Sequence, residues 1–134
     1  MRAMGLRIDR RTVLVAGGVA LGVSLASMSA YAVVDAIVSF GADSNWPFAF
    51  YFVILVGMAL GGWLAGRARP DAPLAHGSLA ALGVMGVIAV ISVVIDVVLG
   101  NDIVDNLLKL VAQVPIPVAV SALSAYIAAR YATR

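Results

Sequence analysis

Four long runs of apolar residues follow one another along the chain, and nearly all its charge lies at their ends. The runs cover positions 12–39, 47–66, 74–99 and 103–129. Each is long enough to cross a bilayer, which takes about 20 helical residues. The polar stretches between them are short, so neighbours in sequence should be antiparallel neighbours in space. Inside lipid every backbone polar group has to be satisfied within its own segment, which selects helices. The expected fold is all-α: a four-helix transmembrane bundle forming a single membrane domain over residues 1–134.

The runs also echo one another. Ala20-Leu21-Gly22-Val23 returns as Ala81-Leu82-Gly83-Val84, Val33 as Val94 and Asp35 as Asp96, all at a spacing of 61. Trp63-Leu64-Ala65-Gly66-Arg67 is matched by Tyr126-Ile127-Ala128-Ala129-Arg130 at a spacing of 63. The pattern predicts an internal repeat of one helical hairpin, with one carboxylate at the same depth in each copy.

Charge sets the direction of insertion. Arg2, Arg7, Arg10 and Arg11 precede the first span, Arg67 and Arg69 join the second to the third, and Arg130 and Arg134 follow the fourth. The other two connections carry Asp43, Asp102 and Asp105, with Lys109 as their one cation. The positive-inside rule then puts both termini and the middle loop in the cytoplasm. Both hairpins insert in the same sense, so the repeat is parallel, related by an axis along the membrane normal, and not inverted. Trp46, Phe48, Phe50, Tyr51 and Phe52 supply an outer aromatic belt, and Trp63, Tyr126 and Tyr131 an inner one.

Composition agrees. Apolar residues make up 63% and charged residues 12%, and the mean hydropathy is +1.04. A pI near 9.4 could suggest nucleic acid, but the basic residues are scattered at span ends, where membrane orientation explains them. The lipid bilayer is the expected environment, and nucleic acid is not an expected partner.

The N-terminus imitates targeting signals. Arg10-Arg11-Thr12-Val13-Leu14 resembles a twin-arginine signal, and Ala30-Tyr31-Ala32 a cleavage triplet. The apolar run continues past the triplet through Val33, Val34, Ile37 and Val38 in register with the third run, so a retained first span is expected.

Small residues four apart let helices approach closely in lipid. Gly18-x-x-x-Gly22 lies on the first span, and Gly57-x-x-x-Gly61 and Gly62-x-x-x-Gly66 run in tandem on the second. Ala119, Ser121, Ala122, Ala125 and Ala129 line the fourth. Packing within the bundle is the plain reading. A face for a homo-oligomer or a larger membrane-protein complex is the functional one.

Asp35 and Asp96 are the leading candidates for chemistry, because a carboxylate in a membrane helix is costly. Both fall in the outer part of their spans, and each has a hydroxyl one turn earlier, Tyr31 and Ser92. Hydrogen-bonded rim carboxylates are the plain expectation. The alternative is a pair of proton- or cation-binding groups joined by Gln113. Pro115 and Pro117 interrupt the fourth span, each removing a helical donor. They predict a kink, with freed carbonyls at Val111 and Gln113. Lys109 is expected to pair with Asp105 four residues back. His76, beside Arg67 and Arg69, is expected to be structural.

Enzyme chemistry finds no support. Cysteine and glutamate are absent and there is one histidine, so no metal site and no cofactor is expected. Phosphate loops and nucleophile elbows are missing. Ser24, Ser27, Ser29, Ser121 and Ser124 have no histidine at a suitable depth to act as base.

Gly61, Gly62, Ala65, Gly66 and Arg67 end the second span, and His76-Gly77 opens the third. In this central segment the chain resembles a group of small four-span bacterial membrane proteins without an assigned activity. The resemblance implies the same topology in a bacterial inner membrane and carries no function. The expected role is that of a non-enzymatic structural or accessory membrane protein. The alternative is a small ion- or proton-coupled carrier using Asp35, Asp96 and Gln113.

Overall fold

The computed structural model describes residues 7–41 and 43–133. Arg2 and Arg134, two of the arginines used for orientation, lie outside them. The described chain is all-helical: α1 (Arg10–Val38), α2 (Trp46–Ala68), α3 (Pro73–Leu99), α4 (Ile103–Gln113) and α5 (Pro115–Ala132). Helices α4 and α5 together make the fourth span, and all four spans are long and apolar enough to cross a membrane. Their bounds fall within a few residues of the apolar runs. α1 continues without interruption through Ala30-Tyr31-Ala32.

Each start has a local cause. Asp9 caps α1, accepting hydrogen bonds from the Arg11 amide at 3.0 Å and the Thr12 hydroxyl at 2.8 Å. Pro47 and Pro73 sit in the first turns of α2 and α3, where a missing N–H costs nothing. Asp102 caps α4 through the Asp105 amide at 3.1 Å.

The predicted kink is a break in the hydrogen-bond ladder at Val114, which keeps right-handed helical φ −54° and ψ −40°. α4 ends at Gln113 and α5 restarts at Pro115. Pro115 and Pro117 occupy the first and third positions of the new helix, whose donors would be free in any case. The prolines therefore cost little there. The Val111 carbonyl, robbed of its regular donor by Pro115, accepts the Val114 amide instead at 3.2 Å.

Helices α2 and α3 share the middle of the bundle. Each touches the other and also α1 and α5, whereas α1 and α5 do not meet. Small residues set these contacts. The direction in which a side chain would leave Gly66 runs into the carbonyl oxygen of Ala125, and that of Gly62 into the carbonyl oxygen of Ser121. A Cβ on Gly61 would lie 2.6 Å from the Ala16 carbonyl oxygen, and one on Gly57 2.8 Å from the Val23 side chain. The tandem motif thus works in two directions, Gly57 and Gly61 against α1, Gly62 and Gly66 against α5. Gly18 and Gly22 differ: neither has any atom in the space a side chain would fill. The expected packing role inside the bundle fails for this pair, because no neighbouring helix reaches the space beside either glycine.

Serine hydroxyls tie the helices together. Ser27 donates to the Phe50 carbonyl at 2.8 Å, Ser121 to Gly77 at 2.9 Å and Ser124 to Ala59 at 2.7 Å. In lipid such bonds between helices supply part of the cohesion that water would otherwise drive. Met58, Ala20, Ala81, Val84, Met85 and Ile88 fill the core between them.

Candidate functional site

The sequence placed a site at Asp35, Asp96 and Gln113. The structure does not bring these three together. Asp96, only 6% exposed, sits one turn before the end of α3. Its Oδ1 accepts from the side-chain amides of Asn101 at 3.2 Å and Asn106 at 2.9 Å. Its carbonyl takes the amides of Gly100 and Asn101. Gly100 has φ +71°, the left-handed turn that ends the helix.

Asp35 does the same in the first hairpin. Its carbonyl accepts the Ser39 amide at 2.8 Å and its Oδ1 the Phe40 amide at 3.2 Å. Ser39 has φ 53°, also left-handed. Each aspartate therefore lies four residues before a left-handed residue and organises the turn that follows. The expected hydroxyl partners are not used. Tyr31 instead packs its ring against Phe40 and Phe50, and Ser92 makes no hydrogen bond to Asp96. The sequence showed the carboxylates but not the asparagines that satisfy one of them. Asn101 and Asn106 flank the start of α4, and only the folded turn aims both at Asp96.

Gln113 is exposed at the helix break and lines a recess of about 430 Å³ with Pro47, Phe48, Tyr51 and Ile116. Neither aspartate borders it. Lys109 pairs with Asp105, as its spacing implies. A carrier needs its ionisable groups around one path, and these groups are each committed to a local turn or to a helix surface.

The arginine-rich end holds the denser polar arrangement. Arg69 grips Asp71 through two parallel bonds, Nε to Oδ1 at 3.0 Å and Nη2 to Oδ2 at 2.9 Å. Its Nη1 also lies 3.8 Å from Asp9. Hydrogen bonding from Arg69, then its charge, lowers the Asp71 carboxyl from 3.8 to about 2. Asp9 is lowered too, first by the Thr12 hydroxyl.

His76 is wholly buried beside this cluster. Its Nε2 accepts the Asp9 amide at 3.0 Å, and its Nδ1 lies 2.8 Å from the Ala72 carbonyl oxygen. One nitrogen accepts, so the proton belongs on Nδ1, and the ring fits as the neutral imidazole. The expected structural histidine is thus a clasp between the N-terminal segment and the start of α3. Residues 9 and 76 give no sign of each other in the sequence, because their contact depends on how α1 and α3 are placed.

Two further features sit on the surface. Gly17, Gly18, Leu21, Ala80, Gly83 and Val84 line a groove of about 300 Å³ between α1 and α3. Asp71, Leu74, Tyr126 and Arg130 border a recess of about 510 Å³ at the arginine-rich end. Among the described residues no cluster of histidines and carboxylates is arranged to hold a metal. No family model, curated protein or solved structure matches the chain.

Proposed function

We propose that this is a non-enzymatic membrane protein that works by association, pairing with a second copy of itself through the α1–α3 face. The groove between α1 and α3 carries the reading. Gly18 and Gly83 line it with no atom in the space a side chain would occupy, and the same space is open at Gly22 and Gly86 elsewhere on the two helices. The glycines of α2 are in contact with neighbouring helices. Lipid chains fill a narrow glycine-lined groove poorly, and a helix fills it well.

Symmetry favours a second copy as the occupant. A two-fold axis along the membrane normal keeps both copies inserted in the same sense. It also sets α1 and α3 of one copy parallel to those of the other, the geometry that close glycine contacts support in membranes. The arginine-rich end would face the cytoplasm of a bacterial cell. The carrier alternative has no comparable support, since Asp35 and Asp96 are spent on their own turns.

The chain has no cysteine, so single cysteines can be introduced without background. Leu14 is 74% exposed on the rim of the groove, and Leu123 is 59% exposed on α5. Oxidation of membranes should cross-link Leu14→Cys into a dimer and leave Leu123→Cys monomeric. Equal cross-linking at both, or none at Leu14→Cys, ends the proposal. A cross-link of Leu14→Cys to a protein of different mass replaces the second copy by a larger complex.

A further inference from the structure

The recess between the start of α3 and the end of α5 lies apart from the α1–α3 groove. It encloses about 510 Å³ and is bordered by Asp71, Leu74, Ala75, Tyr126, Arg130 and Thr133. Arg130 dominates it. The guanidinium carbon stands 4.8 Å from the centre of the Tyr126 ring. Stacking of this kind holds the cation in place and leaves its N–H groups, which point along the guanidinium plane, free to bond. No carboxylate among the described residues pairs with Arg130.

The other charge in the recess is already matched. Both oxygens of Asp71 are held by Arg69. The uncompensated field is therefore positive. The first turn of α3 adds to it: Ala72 offers no side-chain cap and Pro73 takes the first position. The Leu74 and Ala75 amides, both on the recess wall, consequently have no acceptor within the helix. On a helix end alone this would mean little. Here it coincides with a cavity and a fixed, unpaired guanidinium.

The surroundings select a lipid as the source of the anion. Six arginines and two aspartates gather at this end among the described residues, Arg7, Arg10, Arg11, Arg67, Arg69 and Arg130 against Asp9 and Asp71. Anionic head groups concentrate against such a surface. Leu74 is 53% exposed and Tyr126 38%, which leaves an apolar wall for an acyl chain beside the cation. A smaller recess of about 230 Å³, lined by Tyr126, Ile127 and Tyr131, lies on the same arginine.

We propose that this recess binds the phosphate of an anionic phospholipid, held by Arg130 at the junction of α3 and α5. The test uses the full chain in an uncharged detergent, titrated with short-chain phosphatidylglycerol, with bound lipid counted by native mass spectrometry. Arg130→Gln should weaken binding about tenfold or more, the usual loss of a charge-assisted pair. Arg130→Lys should retain part of it, since the charge survives without the fork. Arg67→Gln, at the same end but off the recess wall, should change little. Phosphatidylcholine, with no net charge, should bind more weakly. Circular dichroism checks that each variant folds. If Arg130→Gln does not fold, Tyr126→Leu reads the same site and should lose affinity. Unchanged phosphatidylglycerol binding in a folded site variant overturns the proposal. So does an equal loss in Arg67→Gln, which would mean diffuse attraction to a basic surface. Competition by inorganic phosphate at matched concentration would make it a free-phosphate site and overturn the lipid assignment.

Discussion

Glycine is used in two opposite ways on neighbouring helices. On α2, Gly57, Gly61, Gly62 and Gly66 all stand where a side chain would strike another helix. On α1 and α3, Gly18, Gly22, Gly83 and Gly86 stand where a side chain would meet nothing. The residue type is the same, and Gly18 and Gly22 keep even the four-residue spacing of the α2 pairs. What differs is the face each glycine occupies: those of α2 point at α1 and α5, whereas Gly18, Gly22, Gly83 and Gly86 lie on exposed faces with no helix opposite. The first set holds the monomer together by letting backbones touch. The second set is free to do so for another molecule.

The comparison breaks most visibly at Gly66. A leucine there would occupy the place of the Ala125 carbonyl, which is backbone and cannot swing aside. Gly66→Leu should cost more than about 4 kcal/mol, the range reserved for gross steric failures. The expected outcome is a chain that no longer unfolds cooperatively in detergent, read by helicity against denaturant. Gly57→Ala should be much milder, about 1–3 kcal/mol, because the nearest atoms belong to the Val23 side chain and the Ala20 carbonyl oxygen stands farther off at 3.3 Å. Equal losses at the two positions would mean that α2 is not gripped by backbone at its C-terminal end.

The double substitution Gly18→Leu with Gly22→Leu tests the open set. Its monomer should unfold as the parent does, while the proposed dimer should dissociate about tenfold more readily, roughly 1.4 kcal/mol. Analytical ultracentrifugation in detergent separates the two. Loss of monomer stability would place these glycines inside the bundle after all.

Much of the fold could be read beforehand, because a membrane imposes it. Long apolar runs bounded by arginines leave little freedom, and the ends of α2 and α3 fall where charge, proline or Gly100 stops them, while α1 stops at a left-handed Ser39. The local Lys109–Asp105 pair was equally legible. Which glycines pack was not, since a motif records spacing and the contact depends on which neighbour the helix faces. The same holds for the site. Asp96 was visible as an unusual carboxylate, but its asparagine partners come from the next helix and the turn before it. The His76–Asp9 bond and the Arg130 recess join α3 to segments far away in sequence, so neither leaves a local pattern.

Gly86→Ala sharpens the contrast from the other side. With no atom near, the added methyl meets no resistance. Alanine also holds a helix better than glycine, by about 0.5–1 kcal/mol. The monomer should gain up to that amount, measured by denaturant midpoint, whereas any alanine on Gly62 should lose. A loss at Gly86 would show that α3 has a close neighbour on that face.

Acid gives the smallest effect and separates packing from charge. The backbone contacts at Gly62 and Gly66 carry nothing that titrates, but the loops at the same end do. Asp71 goes from 3.8 to about 2 when Arg69 binds it, and Asp9 is lowered as well. A carboxyl with a depressed pKa binds fewer protons folded than unfolded, so stability rises with pH across the window. Its contribution is complete above about pH 4 and disappears as pH falls through about 2. Both groups face water, which keeps the contribution small. Between pH 7 and pH 4 the melting temperature in uncharged detergent should stay level. Below pH 4 it should slip slightly, and Asp71→Asn should flatten that slope. A steep loss already between pH 7 and pH 5 would show that neither Asp71 nor Asp9 carries the acid sensitivity.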